Sequence, residues 1–170
     1  MDDVGKVLAQ AALLPLAREI AAAGKRLVFT NGYFDLLHLG HLRFLQQAKA
    51  LGDVLVVGVN ADATAGRAKD PRRPILPQNE RAELVAALDC VDYAVIFEEE
   101  TAAALVSTLR PQVYVKGGDY GPDVGTSLPE APVVEAYGGQ VVILPYLPGH
   151  STTGTIATIV QRYCPPPTRV

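Results

Sequence analysis

Cysteine is nearly absent from this chain: Cys90 and Cys164 are the only two in 170 residues. So far apart, they offer no spaced metal-binding pattern and no disulfide framework, and Cys90 reads as a core residue at a helix end. An excess of positive charge is also missing. Fifteen basic side chains against eighteen acidic ones leave a net charge of −3. That excludes a general nucleic-acid-binding surface, which needs a basic face, but leaves room for a local basic cluster on a phosphorylated small molecule. No apolar run approaches the roughly 20 residues of a membrane span. The acidic start, Met1-Asp2-Asp3, is followed by no basic region and apolar core of a secretory signal. There is no internal repeat and no linker long enough to divide the chain. A single cytoplasmic domain over residues 1–170 is expected, with 49% hydrophobic residues to fill one core.

What is present alternates. Residues 1–24 read as a helical extension interrupted at Pro15, the expected first residue of a helix running to about Ala23 and stopped by Gly24. Five strands follow, at 26–30 (RLVFT), 54–59 (VLVVGV), 93–97 (YAVIF), 113–115 and 140–144, separated by helical stretches at 39–51, 78–88, 101–109 and 151–162. The VLVVGV run is apolar throughout, as a strand buried on both faces should be. Residues 164–170 read as a flexible tail. Strands alternating with helices predict an α/β domain: a five-stranded, mostly parallel sheet with helices on both faces. Ligands in such sheets lie at the carboxyl ends of the strands.

Four segments at those ends carry candidate chemistry. In 30–41 (TNGYFDLLHLGH) the chain leaves a strand, turns through Asn31-Gly32 and enters a helix near Leu39, whose unpaired amides attract phosphate. Gly40 allows a close backbone approach, and His38 and His41 can point two imidazoles at one phosphate group. Their donated hydrogen bonds would stabilise charge on phosphorus oxygens and on departing pyrophosphate. Ser151, Thr152 and Thr153 open another helix; besides capping it, they could hold terminal phosphates. Lys116, before the glycine pair Gly117-Gly118 and Asp119, could place a point charge on a phosphate. A basic loop carrying Arg67, Lys69, Arg72 and Arg73, with Arg81 on the next helix, could close over the site as a lid.

Together, TNGYFDLLHLGH, GDVLVVGVNAD, RPILPQNERAEL, VDYAVIFEEET, RPQVYVKGGDY and GHSTTGTI resemble the cytidylyltransferase-like superfamily with the HxGH signature. Within it they look most like the adenylyltransferase domains that make ADP-heptose from heptose 1-phosphate and ATP. The similarity runs from about Lys25 to Val160. It implies a Rossmann-like fold and direct in-line transfer of a nucleotidyl group to a sugar phosphate, with release of pyrophosphate. It implies that His38, His41 and Lys69 are catalytic. Thr30, Asn31, Gly32, Tyr33, Phe34, Gly40, Arg81, Lys116, Gly118, Asp119, Ser151, Thr152 and Thr153 would bind the nucleotide. Asp35, Lys69 and Asn60 would face the acceptor. Magnesium is expected with the nucleotide rather than on protein ligands. ATP (or CTP or GTP), a sugar phosphate, a second copy in a homodimer and a separate upstream sugar kinase are the implied partners; nucleic acid and membrane are not. Two alternatives share the first motif: a glycerol-3-phosphate-type cytidylyltransferase and a non-catalytic nucleotide-binding module. The former carries an arginine where this chain has Tyr146, and the KGGDY loop is of the heptose type. Tyr33, where the heptose enzymes usually have cysteine, leaves the sugar open.

Overall fold

The computed structural model describes residues 5–64, 71–118 and 128–164. The elements in chain order are β1 (Val7–Leu8), α1 (Leu13–Ala22), β2 (Leu27–Gly32), α2 (Leu39–Lys49), β3 (Val54–Asn60) and α3 (Gln78–Ala86). They continue with β4 (Tyr93–Phe97), α4 (Ala103–Leu109), β5 (Val113–Gly117), α5 (Ala131–Ala136), β6 (Gln140–Leu144) and α6 (Thr152–Tyr163). One parallel sheet of order β1-β4-β3-β2-β5-β6 holds all the strands.

All seven residues of β3 are buried, because helices cover both faces of the sheet. Side chains alternate between those faces. Phe29, Val56, Phe97 and Tyr114 pack with Leu13, Ile20, Leu105 and Val106 on one side. Val28, Leu55, Val57 and Val115 pack with Leu45, Ala48, Ala82 and Val85 on the other.

The sheet has six strands where five are expected. The extra one, β1, pairs Val7 with Ala94 and Leu8 with Val95 at the edge. Two residues are too few for any periodicity to show; tertiary bonds hold the segment. Ala94 N–H donates to the Lys6 carbonyl at 2.8 Å, and the Lys6 ammonium to the Val91 carbonyl at 2.9 Å. The described segment from residue 5 to 24 is therefore part of the sheet and core, since α1 buries Leu13, Leu16 and Ile20. The helix begins at Leu13, two residues ahead of Pro15, which its first turn accommodates because amides there have no partner. Gly24, at φ 65°, ends it as expected: Gly24 N–H bonds Ala21 O and Lys25 N–H bonds Ile20 O.

From β2 the chain moves outward through β3 to β4 on one side, then crosses to β5 and β6 on the other. The reversal opens a crevice at the carboxyl ends of β2 and β5. α6 buries none of its residues, leaving Ile159, Val160 and Tyr163 exposed. No helix among the described residues is long and apolar enough to cross a membrane.

Candidate active site

A cleft of about 970 Å³ occupies that crevice. One wall begins where β2 ends. Phe34 (φ 51°) and Leu36 (φ 47°) take left-handed conformations uncommon for residues with a Cβ. Such backbone persists where its surroundings fix it, and here it turns the chain into α2. His38 stands at the N-cap with an extended backbone (φ −134°, ψ 171°). Its N–H donates to His41 Nδ1 at 3.4 Å, so neutral His41 carries its proton on Nε2. The two imidazoles stack, centroids 3.8 Å apart, with the Phe34 ring tilted against His41 at 5.6 Å.

Gly40 is a steric requirement of this arrangement. A Cβ there would stand 2.9 Å from His38 Cε1 and Nδ1 and 3.2 Å from His150 Cβ. Gly40 is the second residue of α2, where the added Cβ meets side chains rather than backbone, so Gly40→Ala should cost little thermal stability, the His38 ring giving way instead. It should nevertheless cut turnover about 10²-fold by displacing the His38 ring. Paired melting curves and initial rates check this; equal loss of both would point to misfolding instead.

His38 Nδ1 is buried and finds no hydrogen-bond partner. Burial, and secondarily the neighbouring His150, push the His38 pKa below its ordinary 6.5. As pH falls through 6.5 the unfolded chain takes up a proton that folded His38 refuses, so this residue's contribution to stability is lost on the acid side. A bound polyanion reverses the preference. Pyrophosphate binding near pH 6 is expected to draw in more protons in the native protein than in His38→Gln. Calorimetry in buffers of different ionisation enthalpy measures the difference; equal uptake would exclude His38 as the receiving group.

The opposite lip is the start of α6. Ser151 Oγ accepts the Gly154 N–H at 3.0 Å, and Thr152 Oγ1 donates to the Asp35 carbonyl at 2.7 Å. Arg73 Nη1 donates to Thr153 Oγ1 at 3.4 Å. Two helix amino ends, of α2 and α6, thus face one cleft, and both favour negative charge. On the floor, Asn31 Oδ1 accepts from the Tyr114 hydroxyl (2.7 Å) and the Lys116 ammonium (3.1 Å). Burial lowers the Lys116 pKa, partly offset by Glu130. A ligand phosphate would favour its charged form. A second hollow, of about 380 Å³, lies at the amino ends of β2 and β5 beside Leu27 and Gln112, away from every histidine.

The expected residues divide. Asn31, Gly32, Tyr33, Phe34, Gly40, His38, His41, Lys116, Ser151, Thr152 and Thr153 all border the cleft. Asn60 borders it too, with only 5% of its surface exposed. Lys69 and Asp119, like Arg67, lie outside the described residues. Thr30 does not reach the cleft: it is fully buried, and its hydroxyl donates to Val115 O at 2.7 Å, tying β2 to β5. Gly118, at φ 146°, donates its N–H to Leu144 O, and its neighbour Gly117 borders the cleft instead.

Arg81 was expected on a phosphate, and the structure corrects this. The side chain is wholly buried, and Nε donates to Leu76 O at 2.9 Å. Nη1 donates to Tyr33 O, and Nη2 to Asn60 O (2.8 Å) and Asp62 Oδ1 (2.7 Å). Those bonds clamp the ends of β2 and β3 to the segment before α3. Asp35 also has a positioning task. Its carboxylate, 2% exposed, accepts the N–H groups of Ile75 and Leu76 at 3.0–3.1 Å and pairs with Arg73 at 3.5 Å. Sequence reasoning missed Phe44, Glu100, Thr101, Glu130 and His150 among the cleft residues. Only His150 had a legible signal, a third histidine directly before the Ser-Thr-Thr cap.

Paired histidines and two helix amino ends at a sheet's switch point make this an α/β domain whose cleft suits a phosphate-bearing ligand. The chain belongs to the cytidylyltransferase-like family, whose profile matches residues 29–151. It is 50% identical over 144 residues to the bifunctional protein HldE of Trichlorobacter lovleyi, covering 84% of this chain and 28% of that protein. The HldE of Pelobacter propionicus is 47% identical over 164 residues, 95% of this chain and 33% of that protein. The chain therefore spans about a third of the length of these curated relatives. Among solved structures, a lipopolysaccharide core biosynthesis protein from Thermoplasma volcanium superposes with a TM-score of 0.60 at 32% identity, covering 73% of this chain and 98% of that one. A pantoate–β-alanine ligase from Francisella tularensis (TM-score 0.59, 13% identity, 87% and 69% covered) shares the fold.

Proposed function

We propose that the chain is a nucleotidylyltransferase that moves AMP from ATP to heptose 1-phosphate, releasing pyrophosphate and forming ADP-heptose. The carrying observation is the stacked His38–His41 pair at the start of α2, facing the Ser151–Thr153 helix start across one cleft. A phosphate oxygen of the acceptor attacks the α-phosphorus, and the bond to the bridging oxygen of the β-phosphate breaks in line. No covalent enzyme intermediate is needed. His41 donates from Nε2 to oxygens of the transferring group, and His38 supplies a second imidazole beside it. Lys116 and the α6 amino end hold the remaining phosphate charge, and Lys69 is assigned to the acceptor side of the transfer.

Among the described residues, no group of three His, Cys, Asp or Glu side chains stands together to hold a metal. Magnesium is assigned to the nucleotide's phosphates, whose charge it would neutralise. The KGGDY sequence and Tyr146, in place of the arginine of alcohol-phosphate cytidylyltransferases, support the adenine nucleotide. The Thermoplasma protein's title, which names lipopolysaccharide core biosynthesis, supports a sugar-phosphate acceptor, and the sequence resemblance makes that sugar a heptose. The exposed apolar stripe of α6 (Ile159, Val160, Tyr163) suits a second copy of the chain in a homodimer. A sugar kinase is assigned the preceding step, and the cytoplasm is the assigned compartment.

Pyrophosphate release is the test, with ATP, CTP, GTP and UTP each offered heptose 1-phosphates and glycerol 3-phosphate. Turnover is expected with ATP and a heptose 1-phosphate. Turnover confined to CTP with glycerol 3-phosphate would refute the assignment, and release without any acceptor would indicate hydrolysis.

A further inference from the structure

We propose that His150 is a third phosphate-contacting imidazole of this cleft, meeting the outer phosphates of the nucleotide and the pyrophosphate as it leaves. The proposal rests on the nucleotidyl-transfer reading above. The chain has three histidines, and all three border this one cleft. His150 reaches it from the far side of the molecule's sequence, and its Cβ lies 3.2 Å from where a Cβ on Gly40 would stand. It therefore joins the amino end of α2, where the His38 and His41 rings are stacked, to the amino end of α6 that Ser151 caps.

The ring is oriented as well as near. His150 Nδ1 lies 3.0 Å from the Pro148 carbonyl, which can only accept, so Nδ1 carries a proton. Nε2 is left as the atom that turns outward from this anchor. Of the two ring forms, only the imidazolium has both nitrogens as donors, so that is the form in which Nε2 can bond a phosphate oxygen while Nδ1 stays on Pro148. His38 and His41 are half-buried while His150 is exposed, which puts it at the mouth of the cleft, where pyrophosphate must depart.

Two isosteric replacements separate contact from scaffold. His150→Asn keeps a donor near Nδ1 for Pro148 but has nothing at Nε2. His150→Gln places an amide near Nε2 and gives up the anchor. Inorganic tripolyphosphate, titrated calorimetrically into the full chain, is the probe. Asparagine is expected to weaken binding at least about tenfold, while glutamine stays within about threefold of native. Native-like binding in the asparagine variant, or a loss in the glutamine variant as large as or larger than in asparagine, would overturn the proposal and make His150 a loop anchor or a bystander. The same variants are assayed for pyrophosphate release. If the binding pattern holds and no nucleotidyl transfer occurs in native protein, the phosphate contact stands and the transfer reading fails. If transfer and binding are unchanged in both variants, the reading stands and His150 has no part in it.

Discussion

His41→Ala is expected to lower turnover by about 10²- to 10³-fold, the cost of removing one preorganised donor from a developing negative charge. Nucleotide affinity should fall far less. His41 sits three residues into α2, with Nδ1 committed to the His38 N–H and its ring held between His38 and Phe34. Such a ring presents Nε2–H without reorganising as the reaction proceeds. The ground-state nucleotide would keep the other partners proposed for it, namely the α6 amino end, Lys116 and the remaining amides of α2. Alanine also removes the acceptor from the His38 N–H, so His41→Asn is the sharper variant. Its amide oxygen can still accept that bond, while nothing replaces Nε2. Both variants should show the same rate loss with nucleotide dissociation constants near native. Turnover within about threefold of native in His41→Asn would remove His41 from the chemistry. A domain that only binds nucleotide has no turnover for either variant to lose.

Arg81→Met should destabilise the fold by about 3–5 kcal/mol. The guanidinium is fully buried and satisfies the carbonyls of Leu76, Tyr33 and Asn60 together with the Asp62 carboxylate. Methionine fills much of the volume but leaves three backbone acceptors in apolar surroundings. Asp62, 44% exposed, can turn to water, so the carbonyls carry most of the cost. Lysine is no substitute, because one ammonium cannot serve a fork of four acceptors. Urea unfolding measures the loss. A change under about 1 kcal/mol would mean the network is dispensable. Since Tyr33 and Asn60 border the cleft, surviving Arg81→Met protein should also bind nucleotide less well than its folded fraction predicts.

Arg81 marks where sequence reasoning runs out. A basic residue after a proline-rich loop looks the same on paper whether it meets a ligand or the chain's own carbonyls; only burial decides, and burial is tertiary. Thr30 went the same way, since a hydroxyl at the end of a strand can face a ligand or the neighbouring strand. The five longer strands were legible from continuous apolar runs such as residues 54–59, and Gly24 from its place after a helical stretch. Val7–Leu8 was not, because a two-residue edge strand is made by its partner, Ala94–Val95, rather than by its own pattern. The histidine pair was legible because a strand, a turn and a helix start follow one another within twelve residues of chain. His150 lies more than a hundred residues away and joins the pair only through the order of the strands.

Transfer of label from ATP tests the central claim most directly. With heptose 1-phosphate as acceptor, label in the α-phosphate should appear in the sugar nucleotide, and label in the γ-phosphate should appear only in pyrophosphate. The acceptor's own phosphorus should remain in the product, joined to the α-phosphorus. Label from the γ-phosphate on the sugar, or α-label released as free AMP, would contradict nucleotidyl transfer in this cleft.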